Sequence, residues 1–282
     1  MGQELLNRGV IPHGTIWGAT ALLHKKYHKL LVKTHLDFIN AGAEVIVTNS
    51  FGSRKRRLIE NKLGHKFNEL NKLAGKLARE AVKKSRKNVL IAGSLPPQNF
   101  TYFADLGKDL KFIKSSFKAQ AKCLCPYIDF FYLDVMSSLK ECQIAINSIK
   151  SFKKEFLLGI HIRKGGKLPS GEKLLTVIRK VEKYKPIGII VSCVSIEDVA
   201  EVFKDLKKIK LPFGFKINAF EHIPAGWKPD SNNPKVQLGK RNDLTPIKFA
   251  KTCIKFNKMG ANIIGGCCEI TPSHIKKLKT LI

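Results

Sequence analysis

The chain has 282 residues, 44% of them hydrophobic, enough for a large core in a single domain spanning 1–282, of the size common among α/β barrels. The start, "MGQELLNRGV", carries no apolar leader and the chain has no long uncharged apolar run, so export and membrane insertion are set aside and a soluble, cytoplasmic protein is expected. The net charge of +29 is mostly lysine spread from Lys25 to Lys279, which reads as a solvated basic surface and argues against nucleic acid as a partner, since phosphate recognition favours clustered arginine.

In chain order, "HKLLVKTHLDFINAG" repeats apolar residues at helical spacing and stops at Gly42. A strand is predicted over Glu44–Ser50, followed by the densest basic run, "SRKRR" at Ser53 to Arg57, which reads as exposed helix with a secondary reading as a polyanion contact. Further strands are predicted over Asn88–Ser94, Ile128–Val135, Phe156–Ile162 and Ile187–Cys193, each rich in β-branched or aromatic residues. "SIEDVAEVFKDLKKI" has acidic residues at its start and lysines at its end, as a helix dipole favours. A strand over Phe213–Asn218 leads into a long connection, Ala219 to Thr245, holding Trp227, Pro229 and "DSNNP". Long connections tend to cover functional sites, and Trp227 reads equally well as a ligand contact or as a plug that holds the loop down. "TPIKFAKTCIKFNKMG" is a helix with Pro at its start and Gly at its end, and Ala261–Gly266 is the last strand.

Seven strands alternating with helices imply parallel pairing with crossover helices, and a closed (β/α)8 barrel needs one more strand. "IPHGTIWGA" and the helix-like sequence before Glu44 supply none, so the first strand is expected to be missing.

The seven cysteines are odd in number and lie in a long chain without export signals, so reduced thiols are expected. Cys123, Cys125, Cys142 and Cys253 fall in helical patterns and read as small buried apolar residues. Cys193 ends one predicted strand, and Cys267 and Cys268 end another. In a parallel barrel those ends share the face that carries the active site. Adjacent side chains on a strand point to opposite faces, so Cys267 and Cys268 can share one ion only where the backbone leaves strand geometry; Gly265 and Gly266 are expected to permit that. Three thiols at one mouth match a catalytic zinc with an open fourth position.

"GGCCEITPSHI" at the C-terminus resembles the Gly-Gly-Cys-Cys signature of the homocysteine S-methyltransferase family, and the resemblance runs through "AGAEVIVTNSFG", "AGSLPP", "KLPSGEKL", "VSC" and "INAF". It implies a (β/α)8 barrel in which Cys193, Cys267 and Cys268 hold Zn2+ and homocysteine sulfur is the fourth ligand. It further implies that Asp134 in "YLDVM" stands where the family has a Glu that takes the homocysteine amine, that Asn218 lies near the metal, and that Asn49 shapes the pocket. His161 and His222 fall at the same mouth and read as structural. Three departures accompany it: Glu269 replaces a Gly, Ser192 replaces an Asn, and "GQELLNRG" resembles the segment just after the family's opening Asp-Gly strand, which is itself absent.

The activity implied is a methyltransferase of the EC 2.1.1 class moving a methyl group from S-methylmethionine, or alternatively betaine, to homocysteine to give methionine. The alternatives are a non-catalytic barrel acting as a binding or assembly subunit, and a polyanion-binding protein. An open barrel would also leave two strand edges free for a homo-oligomer.

Overall fold

The computed structural model describes every residue except 228–232, so Pro229 and most of "DSNNP" lie outside the described residues. Seven strands form one parallel sheet in chain order: β1 Val45–Val47, β2 Leu90–Leu95, β3 Phe130–Met136, β4 Phe156–Ile160, β5 Gly188–Val194, β6 Phe213–Ile217 and β7 Ile263–Gly266. The sheet curls as an α/β barrel wall, with helices between the strands.

The inner strands β3, β4 and β5 bury both faces, which is why they read as nearly continuous apolar runs, whereas the edge strands β1 and β7 are only partly buried. On β3, Phe131 and Leu133 join the outer core beneath the helices, while Phe130 and Tyr132 join Ala92, Leu157 and Ile190 in a second cluster inside the barrel. The helices supply the opposing face. His28–Asn40 buries Leu31, Val32 and Ile39; Ile196–Leu206 is closed at its start by a capping box between Ser195 and Asp198; Pro246–Lys258 starts from Thr245, whose side chain accepts from Lys248 N. These are the helices the periodicity predicts.

The strands fall where expected, with one clear shortening. Residues 44–50 are predicted as strand, yet β1 stops at Val47. Beyond it one backbone bond remains, Thr48 N to Ala92 O at 3.0 Å, and side chains then take over: Thr48 Oγ1 accepts from Ser94 N at 3.0 Å, and Ser50 Oγ donates to Ser94 O at 2.8 Å.

The sheet does not close. The ladder runs from β1 to β7 with β1 paired only to β2 and β7 only to β6, and among the described residues no strand precedes Val45. The helical layer spans this seam where the sheet does not: Pro272–Lys279 packs against His28–Asn40, and Lys279 Nζ lies 3.3 Å from Glu44. Inside the seam a cavity of about 700 Å³ runs the length of the barrel. His35 lines it, fully buried, with neither ring nitrogen hydrogen-bonded among the described residues.

The basic run after β1 differs from expectation. Lys55–Glu60 is helical, but Arg54 and Arg57 are buried, not exposed. Arg54 Nη1 donates to Thr101 Oγ1 at 2.9 Å and Arg57 Nη1 to Thr15 O at 3.2 Å, so these two guanidiniums tie loops together at the barrel mouth.

Candidate active site

Strand alternation alone would not bring the three thiols together. On β5, Ile190 and Ser192 point into the barrel, so Cys193 should point out. The ladder between β5 and β6 shifts between Ser192 and Val194, and Cys193 adopts φ +57°, which turns its side chain back toward the lumen. A parallel device operates at the end of β3, where the register shifts between Leu133 and Met136 and Val135 has φ +66°. A β-branched residue held at positive φ is strained, and such strain clusters at functional sites. Val135, Cys193 and Tyr102 then pack as one small cluster with Cys267, Cys268 and Trp227 against it.

On β7 the chain leaves strand geometry at Cys267. The reason differs from the expected one. Gly265 and Gly266 are not at positive φ; a Cβ on Gly266 would lie 2.2 Å from Ile270, so that glycine supplies space. The left-handed residue is Glu269, at φ +63°, where the family signature has Gly. Its buried carboxylate accepts a hydrogen bond from Gln3 Nε2 at 2.7 Å and faces Lys240 at 3.6 Å, contacts that hold the turn in place of glycine's freedom.

The result is a compact cluster. The sulfurs of Cys193, Cys267 and Cys268 all lie within 4.8 Å of one another, and Cys193 Sγ is 3.9 Å from Cys268 Sγ. Three thiolates around a tetrahedral zinc with bonds of about 2.3 Å sit roughly 3.8 Å apart, so the donor set and its spacing fit such an ion. Among the described residues this is the one group of three such side chains placed to hold a metal; Cys123, Cys142 and Cys253 are buried in helices elsewhere, and Cys125 lies in a short 3₁₀ turn. Hydrogen bonds from Cys193 and Cys268 hold the Cys267 thiol well below its ordinary pKa against the effect of burial, with Lys216 adding to the shift. Hydrogen bonding within the cluster, with burial behind it, pushes the other two thiols up.

The other sequence-predicted residues reach this cavity by different routes. Asn218 Nδ2 lies 3.7 Å from Cys193 Sγ while its Oδ1 accepts from Phe220 N at 3.1 Å. Asn49 donates to Gly18 O at 2.8 Å and lines the cavity. Asp134 points inward from β3: Oδ2 accepts from Ser94 Oγ at 3.3 Å and faces Lys216 Nζ at 3.6 Å, while Oδ1 is buried without a hydrogen-bond partner among the described residues. Burial raises the Asp134 carboxyl above its usual range, with Lys216 opposing. His161 packs against Tyr102 with the rings tilted by 52° and 4.6 Å between centroids, and burial lowers its pKa to about 4. His222 is exposed. Trp227 packs 5.9 Å from Tyr102 and donates to Gln237 at 2.9 Å.

Two residues at the site escape sequence reasoning. Tyr102 hydrogen-bonds Cys193 Sγ at 3.1 Å, from a loop with no local signal of its role. Lys216 does carry a signal: in "FGFKIN" it alternates with the outward Phe215 and Ile217, which places a lysine inside the barrel.

The family model described as "Homocysteine S-methyltransferase" matches residues 1–282. "Homocysteine S-methyltransferase 2" of Saccharomyces cerevisiae is 22% identical over 100% of this chain and 91% of its own length, and "Homocysteine S-methyltransferase" of Escherichia coli is 25% identical over 99% and 92%. The crystal structure of the E. coli homocysteine methyltransferase MmuM in its metallated form superposes with a TM-score of 0.82 at 19% identity, over 100% of this chain and 94% of that one. Matched along its whole length, the chain belongs to the homocysteine S-methyltransferase family.

Proposed function

We propose that the protein transfers a methyl group from a small sulfonium or ammonium donor to the sulfur of homocysteine, with Zn2+ held by Cys193, Cys267 and Cys268. One observation carries this reading: three cysteine sulfurs within 4.8 Å of one another at the C-terminal mouth of the barrel, in a chain matched throughout by the family. S-methylmethionine is the favoured donor, with betaine second. When bound, zinc supplies the positive charge that keeps a coordinated thiol ionised at neutral pH.

The rest of the chemistry falls to the chain. Cys193, Cys267 and Cys268 would hold the ion with three sulfurs and so leave room for a substrate sulfur. Methyl transfer forms a carbon–sulfur bond and breaks the donor's carbon–onium bond; the donor departs neutral, and the thiol proton has already passed to solvent. Opposite charges cancel on the way, so exclusion of water favours the step. Tyr102, Val135 and Trp227 supply an apolar rim for that purpose. His161 stays uncharged at neutral pH, because burial holds its pKa at about 4, and so does not repel a cationic donor. Asp134 receives the homocysteine ammonium, Asn218 stands beside the sulfur cluster, and Asn49 shapes the wall.

The test is methionine formation by zinc-loaded protein given L-homocysteine with S-methylmethionine, betaine or no donor. Methionine should form with S-methylmethionine, more slowly with betaine, and not after zinc is removed. No methionine with any sulfonium or ammonium donor contradicts the reading.

A further inference from the structure

Lys216 projects from near the C-terminal end of β6 into the barrel and reaches across it toward β3. Its Nζ lies 4.6 Å from the centroid of the Tyr132 ring and 3.6 Å from Asp134 Oδ2, too long for a hydrogen bond. An ammonium carries three donors, and among the described residues none accepts a hydrogen bond from this one. Asp134 Oδ1 is the complementary case, a buried carboxylate oxygen with no donor. Buried groups of this kind are ordinarily satisfied, so an ammonium and a carboxylate oxygen left open side by side point to a ligand that supplies both partners.

The position narrows the ligand. The β6–β7 register pairs Lys216 with Gly265, and Cys267 follows two residues on, just past the end of β7. Two residues of chain span at most about 7 Å, so the charged pair sits just below the thiol cluster in the barrel. A molecule whose sulfur joins the cluster would therefore present its other end to Lys216 and Asp134.

We propose that Lys216 takes the α-carboxylate of the thiol substrate, completing a zwitterion-reading pair with Asp134, to which the proposed function already gives the α-ammonium. The assignment rests on the proposed homocysteine reading and makes Lys216 a specificity-determining residue. Without substrate the two side chains face one another. With substrate each exchanges that partner for a group of the same charge on the ligand, so neither charge is left buried and alone. A thiol with half the head group cannot complete the exchange.

Calorimetric titration of the zinc-loaded protein with L-homocysteine, 3-aminopropanethiol and 4-mercaptobutanoate tests this. Wild type should bind homocysteine roughly 30-fold or more tighter than either half-headed thiol, the scale of one buried charge pair. Lys216→Met should lose that preference over 3-aminopropanethiol, chiefly by weakening homocysteine, and Lys216→Arg should retain it. Asp134→Asn should show the mirror pattern, losing the preference over 4-mercaptobutanoate. Bound zinc, measured on every variant, checks that the sulfur cluster is intact. A Lys216→Met protein with full zinc that discriminates as wild type does, or that weakens all three thiols equally, overturns the assignment while leaving the homocysteine reading in place. A wild type that binds none of the three thiols overturns the homocysteine reading itself.

Discussion

The wall of this barrel has two unlike arcs. From β3 to β6 the ladder is continuous, both faces are buried, and two register shifts turn Val135 and Cys193 inward. Between β1 and β7 the ladder stops, and residues of the inner face such as Val45 and Ile263 line the cavity. The sulfur cluster straddles the division: Cys193 belongs to the continuous arc, while Cys267 and Cys268 come directly after the edge strand β7. A metal held by all three would tie the edge to the wall. Across the seam, the packing of Pro272–Lys279 on His28–Asn40 and the Lys279–Glu44 pair already join the two arcs outside the sheet.

The largest effect should come from cutting the metal link. Cys267→Ser removes the thiol that ionises most readily, and both zinc retention and methyl transfer should fall to background; near-stoichiometric zinc in that variant would mean the edge contributes nothing to the site. Smaller, but large for a single atom, is Gly214→Ala on β6. A Cβ there would lie 1.7 Å from Ile263 O, and backbone cannot give way as a flexible side chain can. The substitution should push β7 outward, cost about 1–3 kcal/mol in chemical denaturation, and weaken zinc binding with it. Unchanged stability would show that β7 already moves freely.

Metal removal sharpens the comparison next. A ligand at 100 times its dissociation constant stabilises the fold by about 2.7 kcal/mol. Chelation should therefore lower Tm by several degrees, and amide exchange should accelerate first in β7 and least in β4. Uniform acceleration would deny the two-arc description.

Taken per pH unit, the smallest predicted effect is a pair of pH dependences with opposite sign. On the seam, burial holds the His35 pKa at about 3, below its ordinary 6.5, so the native state resists protonation; its stabilising contribution is complete above pH 6.5 and declines as pH falls toward 3. On the continuous side, burial raises Glu141 from 4.5 to about 8, so the native state keeps a proton the unfolded chain has lost; its contribution is complete below pH 4.5 and declines as pH rises toward 8. Each slope is about 1.4 kcal/mol per pH unit at most. His35→Gln should flatten the acid limb of stability against pH, and Glu141→Gln the limb between pH 4.5 and 8. If either substitution leaves its limb unchanged, that group is not the source.

Much of this fold is legible in the sequence because burial on both faces writes itself as short apolar runs. All seven strands can be placed that way, as can the lack of a strand before Glu44. Topology brings the ends of β5 and β7 to one mouth, and the register shift at Cys193 then turns its thiol toward Cys267 and Cys268. Local backbone is not legible. Val135, Cys193 and Glu269 adopt positive φ without being glycine, held there by tertiary contacts that leave no mark on neighbouring residues. The buried arginines of "SRKRR" escape for the same reason: their burial comes from Thr15 and Thr101, distant in sequence. Lys216 is different, since strand alternation places it inside the barrel from sequence alone.

The most direct test counts sulfur atoms on the metal. X-ray absorption at the zinc edge should report three sulfur ligands in the zinc-loaded protein and four once L-homocysteine is added. Fewer than three before addition, or no change after it, would contradict the assignment of Cys193, Cys267 and Cys268 as an open site that takes the substrate thiol.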